Sequence, residues 1–214
     1  EGPAFFNGYE EGNTRFGRDD FDDAILGLQW NFHKNPCEPI YSLSAKKGSL
    51  TLYGTEHTLN ESQNLAFIGR RQQDFDCRVS ALMEFDPLND GEEAGLTVYM
   101  NEKFHYEIAV SRNKGVKTVF LRRRIGSLWK VEWEGGLNAR EVILNIKADS
   151  VQYTFSYSLA GQEEIKIGSG VCSYLATEVA GGFTGVYIGM YATGNGKPSQ
   201  SPAHFDYFDY LGEQ

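Results

Sequence analysis

The stretch AGLTVYMNEKFHYEIAV, residues 94–110, contains two runs of alternating side chains joined by a short polar segment. In the first run the aliphatic Leu96 and Val98 alternate with Thr97 and Tyr99, and the second run repeats this alternation. A period of two places successive side chains on opposite sides of a strand. The stretch therefore predicts a β-hairpin with one aliphatic face and one face of polar and aromatic side chains.

Similar runs recur along all 214 residues, separated by breaks rich in Gly, Pro, Asn and Asp. About nine strands at intervals of about ten residues are typical of a sandwich or barrel, and no segment has sustained helical periodicity. We predict an all-β protein, a two-sheet antiparallel β-sandwich of the jelly-roll type with adjacent first and last strands, over residues 18–214. Residues 1–17 are predicted to form an N-terminal linker or extension.

The charge of the chain argues against nucleic acid as a partner. The net charge is -9, whereas nucleic-acid binding depends on a basic patch that displaces counterions. The one basic cluster, Arg122–Arg124, lies inside an alternating run, so we predict that it occupies outward positions of a strand. No apolar segment approaches the roughly 20 residues needed to span a bilayer. We therefore expect neither nucleic acid nor a membrane as a partner.

No pattern in the sequence predicts catalysis. Glycosidases use two carboxyl groups about 5–9 Å apart, and only Glu132 and Glu134 have the spacing that places two acids on one face of a strand. They stand at a predicted strand end before two glycines, so a solvated strand end explains them. Cys37, Cys77 and Cys172 are too widely spaced for a disulfide framework and are predicted to be buried free thiols.

Both ends of the predicted sandwich are rich in carboxylates, which suggests a calcium site. Two acidic strands that pair side by side would repel each other unless a cation lay between them. Calcium binds several oxygens from Asp side chains and backbone carbonyls. We predict ligands from Asp20 or Asp22 near the first strand, Gly48 and Asp206. The alternative is that these residues are simply outward charges on edge strands.

The polar aromatic face of the hairpin predicts a carbohydrate site, because sugar rings stack on aromatic side chains and their hydroxyls need hydrogen-bond partners. The candidate residues are Tyr99, His105, Glu107, Tyr187 and Tyr191, flanked by Trp30 and Arg71. The alternative is a second core covered by the chain's own loops, in which Glu107 would need a buried partner such as Arg71. A binding cleft would leave the ring faces of Tyr99 and Tyr191 open to solvent.

The order of the segments carries a family resemblance. The stretches concerned are DDFDDAILGLQWNFHKNP, KKGSLTLYG, LAFIGRRQQDFDCRVSALMEFDP, EEAGLTVYMNEKFHYEIAV, GGFTGVYIGMYATGNG and PAHFDYFDY. Over about residues 18–211 this succession resembles the C-terminal β-sandwich domain of bacterial family 43 glycoside hydrolases of the β-xylosidase type. The resemblance implies a concanavalin A-like jelly roll that follows a five-bladed propeller carrying the catalytic carboxylates. Related domains have been regarded as xylan-binding modules.

The leading prediction is a non-catalytic accessory domain of a family 43 enzyme that acts on xylan or arabinoxylan. Its expected partners are the propeller of the same polypeptide and a xylo-oligosaccharide or arabinoxylan. Two alternatives stay open: a purely structural domain with no sugar site, and a free-standing lectin-like protein. An independent enzyme of the laminarinase type is a weaker interpretation, because the required set of acids on one inner strand is missing.

Overall fold

The computed structural model describes residues 14–34, 39–182 and 185–213 and shows two antiparallel sheets packed against each other. This confirms the predicted all-β sandwich. Most of the predicted N-terminal extension and Cys37 lie outside the described residues. None of the helices in the described part is long and apolar enough to cross a membrane.

The first sheet, called sheet A, is built around the long C-terminal strand. Its strands in spatial order are β13 (Ile165–Val171), β12 (Gln152–Ser158), β11 (Glu141–Ala148), β6 (Asp76–Glu84), β15 (Ala203–Glu213), β4 (Leu50–Leu52) and β3 (Tyr41–Ser42). The short strand β1 (Thr14–Phe16) also pairs with β15. β15 thus pairs with β4 near its start and with β1 near its end.

The second sheet, called sheet B, carries the hairpin that opened the sequence. Its strands in spatial order are β10 (Leu128–Gly136), β9 (Val116–Ile125), β8 (Phe104–Asn113), β7 (Glu93–Asn101), β14 (Tyr187–Thr193), β5 (Ala66–Arg71) and β2 (Asn31–Phe32). A 3₁₀ turn (Cys172–Leu175) and the short helix α1 (Thr177–Ala180) connect β13 to β14. The predicted hairpin corresponds to β7 and β8, which pair along nearly their whole length.

The main core lies between the two sheets and consists of their aliphatic and aromatic inner side chains. Leu96, Val98 and Ile108 of the hairpin are completely buried in it, in one cluster with Phe155 and Phe205 of sheet A. Full burial of one such side chain contributes about 1.5–3 kcal/mol relative to exposure. The alternation read from the sequence therefore assigns the inner face correctly.

The first and last strands are adjacent, as predicted. Thr14 pairs with Glu213, and Glu213 in turn pairs with Asp76 at the start of β6. We call this end of the sandwich, where β1 begins, the β1 end. The turns that precede β6 and follow β11 also lie at the β1 end, because Cys77 pairs with both Gly212 and Ala148. The chain therefore enters the sandwich beside these turns.

The two described cysteines are free thiols, as predicted. Cys77 is buried, and burial raises the pKa of its thiol to about 11. Cys172 is only half-buried, and its Sγ lies 3.4 Å from the carbonyl oxygen of Asp149. Burial also raises the pKa of the Cys172 thiol to about 11. Both thiols therefore stay protonated at neutral pH.

Candidate functional site

The outer face of sheet B brings together the predicted polar and aromatic residues. The register pairs Tyr187 with Tyr99, Tyr99 with His105, and Thr97 with Glu107, so these side chains share the face turned away from sheet A. Tyr191 lies beside them on β14. Cross-strand neighbours of this kind are about 5 Å apart at Cβ. The sequence thus predicted the membership of this face correctly.

The same face is not open to solvent. Leu59 and Leu65, from the loop of residues 55–65, pack over it in a second apolar cluster that includes Phe67, Tyr99 and Tyr191. Tyr99 is only 7% exposed and Tyr191 is completely buried. The expectation of an open cleft at these two rings is therefore wrong, because a loop far away in sequence covers them.

His105 and Glu107 are also completely buried and contact each other. His105 Nε2 lies 3.1 Å from Glu107 Oε1, and Tyr191 donates a hydrogen bond of 3.0 Å to Glu107 Oε2. Arg122 contacts the same Oε2 atom. A sugar cannot reach the Glu107 carboxylate, because each of its oxygens already faces a polar side chain beneath the loop.

Arg122 is the cation at the centre of this buried network. Its guanidinium bonds both oxygens of Glu93, at 2.6 and 3.1 Å, and also contacts Glu107. Tyr191 Oη also lies 2.6 Å from Glu93 Oε1, so its single hydroxyl proton is shared between the two carboxylates. Burial alone would raise the pKa of Glu107, but Arg122 and His105 outweigh burial and hold that pKa below its ordinary value. Burial and the two carboxylates raise the pKa of Tyr191, which keeps its hydroxyl a donor.

Two predictions about arginines are wrong. The side chain of Arg122 is 11% exposed rather than outward and solvated, and it replaces Arg71 as the partner of Glu107. Arg71 is exposed, and its guanidinium lies 5.8 Å from the centre of the Tyr187 ring. The basic run Arg122–Arg124 is visible in the sequence, but only the strand register, which sets Arg122 directly opposite Glu107, identifies the pair.

Trp30 does not flank the outer face. It belongs to the main core, where its ring meets Phe208 edge-on at 5.0 Å. Its indole N–H donates a hydrogen bond of 2.7 Å to Asp19 Oδ2. Asp19 also forms a backbone bridge to Phe208 of β15, so the pair ties the first residues of the sandwich to the last strand. Trp30 is therefore a structural residue.

The accessible remainder of the predicted sugar site is a small pocket at the edge of sheet B. It has a volume of about 280 Å³. It is lined by Phe32, His33, Phe67, Tyr99, Met100, Asn101, Glu102 and Tyr187. The hydroxyl of Tyr99 lies 3.0 Å from Nε2 of His33, whose Nδ1 lies 3.0 Å from the Gln63 carbonyl of the covering loop. Of the predicted residues, Tyr99 and Tyr187 reach this pocket, and their role in sugar binding stays a prediction.

The predicted calcium ligands lie in one region but differ in availability. Asp22 Oδ1 is 3.4 Å from the position that a Cβ on Gly48 would occupy, and Gly48 has a φ of +66°. Asp206 occupies a bulge in β15 next to Phe205, which pairs with Leu50 of β4. Gly48 lies two residues before Leu50, so it is close to this bulge. Asp20 instead forms an ion pair of 2.7 Å with Arg18.

This arrangement suits a calcium ion that takes part of its oxygens from backbone carbonyls. Across the described ranges, no group of three or more His, Cys, Asp or Glu side chains is placed to hold a metal ion. A site built from Asp22 and Asp206 would therefore need carbonyl or water oxygens as further ligands. Calcium binding stays a prediction.

Glu132 and Glu134 do not form a pair. A bulge between Val131 and Trp133 breaks the alternation of β10. Glu132 therefore pairs with Arg123 at 3.1 Å, whereas Glu134 accepts a hydrogen bond of 2.9 Å from Thr118 on the outer face. The two carboxylates are therefore held by different neighbours.

Comparison with known proteins shows which family the chain resembles. The profile of the β-xylosidase C-terminal concanavalin A-like domain matches residues 18–211. The chain is 41% identical over 194 residues to the non-reducing end α-L-arabinofuranosidase BoGH43B of Bacteroides ovatus, covering 90% of this chain and 36% of that protein. It is 30% identical over 208 residues to a putative β-xylosidase of Escherichia coli, covering 90% of this chain and 38% of that protein.

Solved structures agree with these sequence matches. The Bacteroides ovatus xyloglucan PUL GH43B structure superposes with a TM-score of 0.86 at 39% identity, covering 90% of this chain and 38% of that one. The GH43 protein BlXynB of Bacillus licheniformis gives a TM-score of 0.83 at 25% identity, covering 95% of this chain and 40% of that one. The chain thus spans little more than a third of the length of its relatives. It belongs to the family of β-xylosidase C-terminal concanavalin A-like domains of glycoside hydrolase family 43.

Proposed function

We propose that this chain is the non-catalytic accessory domain of a family 43 enzyme that releases xylose or arabinose units from xylan or arabinoxylan. One observation carries the proposal: the family match extends over residues 18–211, while the chain spans only 36% of BoGH43B. The remaining part of such an enzyme, proposed to be a five-bladed propeller, supplies the catalytic carboxylates. The accessory domain packs against it and stabilises it.

The closed outer face of sheet B supports a structural role over sugar binding at that face. Its central residues are buried, and Glu93, Glu107 and Tyr191 contact one another and Arg122, so they stabilise the sandwich rather than await a ligand. The edge pocket beside Tyr99 and Tyr187 supports a second, weaker function. Its aromatic walls and its volume of about 280 Å³ suit one sugar unit bound with modest affinity.

A structural calcium ion is part of the proposal. Asp22, Gly48 and Asp206 would hold it, and the ion would offset the negative charge where the first residues of the sandwich meet β15. An ion that binds only the folded state raises the melting temperature. Excess calcium should therefore raise that temperature relative to EDTA, and Asp206→Asn should abolish the rise while the exposed Asp76→Asn keeps it. Identical curves in calcium and EDTA for the unaltered protein would refute the site.

The accessory function is tested with a fusion enzyme. The C-terminal third of BoGH43B is replaced by this chain, and activity on aryl α-arabinofuranoside and aryl β-xyloside is measured during heating. We expect the fusion to retain activity at temperatures that inactivate the BoGH43B catalytic part alone, and this chain alone to be inactive. Hydrolysis by this chain alone that survives Glu132→Gln and Glu134→Gln would contradict the non-catalytic assignment.

Sugar binding at the edge pocket is tested separately, by calorimetric titration of xylo-oligosaccharides. Tyr187→Ala should remove the heat of binding at this pocket, because Tyr187 forms one wall of it. The matched control is Tyr53→Ala, a tyrosine 39% exposed and remote from the pocket lining. Equal and negligible heats for all three proteins would leave the purely structural function as the conclusion.

A further inference from the structure

We propose that the β10 edge of sheet B carries a carbohydrate site, in which the exposed Trp129 stacks on one neutral sugar unit of a polysaccharide. This site is separate from the edge pocket beside Tyr99: it is lined by Glu93 at the start of β7, roughly 20 Å along that strand from Tyr99. The covering loop closes the centre of the outer face and leaves its β10 side exposed. The inference rests on the proposed function for the identity of the polysaccharide and adds the place that holds it.

Trp129 forms a flat apolar platform on β10. Val131 pairs with Arg122, so Val131 and Trp129, two residues earlier, share the outer face of sheet B. Trp129 is 50% exposed and Val131 is 40% exposed. The guanidinium of Arg122 lies 5.2 Å from the centre of the Trp129 ring and 4.7 Å from that of Phe120. This cation–π contact supports the ring from the sheet side, so the platform is ordered before a ligand binds.

The platform is one wall of a pocket of about 270 Å³ whose other walls carry hydrogen-bonding groups. Glu134 accepts a hydrogen bond from Thr118 through Oε1, which leaves Oε2 as an acceptor. Asn195 Nδ2 donates a hydrogen bond of 2.7 Å to the Gly91 carbonyl, which holds the amide in place and leaves its Oδ1 as an acceptor. Asn113 adds a second amide at the end of β8. A flat ring beside fixed polar groups suits a sugar, whose C–H face stacks while its hydroxyls form hydrogen bonds.

The floor of this pocket contains a donor without an acceptor. Arg122 lines the pocket, its side chain is 11% exposed, and its two terminal nitrogens bond Glu93 and Glu107. Its Nε is buried and finds no hydrogen-bond partner in the part of the chain that the structure describes. An unpaired buried donor is unfavourable, so it points to a water molecule or a ligand atom that completes it. A sugar hydroxyl, or a water molecule held beneath the sugar, would supply the acceptor.

The charge of the pocket selects a neutral ligand. Among its lining residues, Glu93 and Glu134 carry negative charge and Arg112 and Arg122 carry positive charge, so the formal charges cancel. An anionic ligand such as a uronic acid or a phosphate would meet a carboxylate for each arginine. A neutral sugar unit therefore fits the site better than an acidic one.

Pairing of β10 with a second copy of the chain does not explain the exposed platform. β10 is the edge strand of sheet B, but it has a bulge after Val131 and carries the charged Lys130 and Glu132. Bulges and charged side chains are the features by which proteins prevent exposed edges from pairing. The apolar surface of Trp129 is thus kept accessible on a strand that is protected against association, as a sugar site requires.

The test is titration of the whole chain with xylohexaose and with arabinose-substituted xylo-oligosaccharides, followed by calorimetry and by acrylamide quenching of tryptophan fluorescence. Trp30 is buried and Trp133 is half-buried, so quenching reports mainly on Trp129. We expect saturating oligosaccharide to protect the unaltered protein from quenching. Trp129→Ala should lower the association constant at this site at least about tenfold, because the stacking surface is lost.

Leu128→Ala is the matched control. Leu128 is 53% exposed and precedes Trp129 on β10, so its side chain leaves the strand on the other side. Leu128→Ala should leave the association constant within about twofold, and Tyr187→Ala in the edge pocket should leave the protection of Trp129 unchanged. The affinity should depend little on salt, because no net charge is neutralised. A similar urea midpoint for Trp129→Ala and Leu128→Ala shows that the loss of binding does not arise from unfolding.

The outcomes separate this site from the proposed function. Equal association constants for the unaltered protein and Trp129→Ala would overturn the Trp129 site, and if Tyr187→Ala then removes all the heat, sugar binding belongs to the edge pocket. Negligible heat for the unaltered chain would overturn both sugar sites and leave the accessory function, which the fusion enzyme tests independently. A change of sedimentation in Trp129→Ala without any sugar binding would show instead that the platform joins two copies of the chain.

Discussion

The two faces of sheet B are both buried, but by different means. The inner face carries Leu96, Val98 and Ile108 against sheet A, and burial of apolar area stabilises it directly. The outer face buries Glu107 beside Arg122 beneath a loop. Removing charges from water costs several kcal/mol per ion, so they are tolerated only when each is paired. The stability of the outer face therefore depends on the pairing of its charged groups, whereas the stability of the inner face depends on the apolar area that it buries.

Removal of the Arg122 guanidinium from the outer face should have the largest effect on the stability of the protein. Arg122→Met removes the guanidinium shared by the buried Glu93 and Glu107, and we expect it to lower the free energy of unfolding by about 3–5 kcal/mol. Arg124→Met, on the same strand, is the control and should cost about 1 kcal/mol or less, because Arg124 is half-buried and bonds Asn60 and a turn carbonyl. Urea unfolding measures both, and equal losses would contradict the dependence on pairing.

Shortening the side chain of Leu59 in the covering loop should have the next largest effect on stability. Leu59 is 2% exposed and packs on the outer face, so Leu59→Ala should lower the free energy of unfolding by about 2–3 kcal/mol. It should also increase the reactivity of Tyr191 towards iodination, because the loop no longer seals the ring. Leu88→Ala at an exposed site is the control and should change the stability by about 0.5 kcal/mol or less. Unchanged Tyr191 reactivity would mean that other residues seal the face.

Acidification should destabilise the charged outer face of sheet B before it affects the apolar inner face. The pKa of Glu107 is lowered in the folded protein from an ordinary value of 4.5, despite burial, by Arg122 and His105. The folded state thus binds this proton less readily than the unfolded state. The stability due to this group is therefore complete above about pH 4.5 and is lost as pH falls through the folded-state pKa, by about 1.4 kcal/mol per pH unit at most.

Glu107→Gln removes this titration and should flatten the slope of stability between pH 4.5 and acid. Glu164→Gln, which removes an exposed carboxylate paired with Arg78, is the control and should leave the slope nearly unchanged. Urea unfolding at a series of pH values measures the slopes. Parallel slopes for the unaltered protein and Glu107→Gln would show that Glu107 does not contribute.

The smallest expected effect concerns the hydroxyl of Tyr191. Tyr191→Phe keeps the ring in the apolar cluster but removes the donor to Glu93 and Glu107. Arg122 still pairs with both carboxylates, so we expect a loss of about 1 kcal/mol in the free energy of unfolding. Tyr53→Phe at the surface should be neutral. A loss as large as that of Arg122→Met would show that the phenol, rather than the arginine, holds the two acids.

The sequence alone determined the fold class and the two faces of the central hairpin. Alternation with a period of two assigns each side chain to a face, which is why Tyr99, His105 and Glu107 were placed together correctly. The succession of segments also identified the family before any coordinates. These features are local or depend on order along the chain, so they can be read without knowing which strands pair.

Only the tertiary structure decided what covers each face and which charges pair. Leu59 joins the buried cluster of Tyr191 across more than a hundred residues of sequence, and periodicity carries no information about such packing. The pairing of Arg122 with Glu107 depends on strand register, and the separation of Glu132 from Glu134 depends on one bulge. Both are set by packing between strands rather than by local preference. The outer face could therefore be recognised from the sequence as unusual, but whether it was open depended on a distant loop.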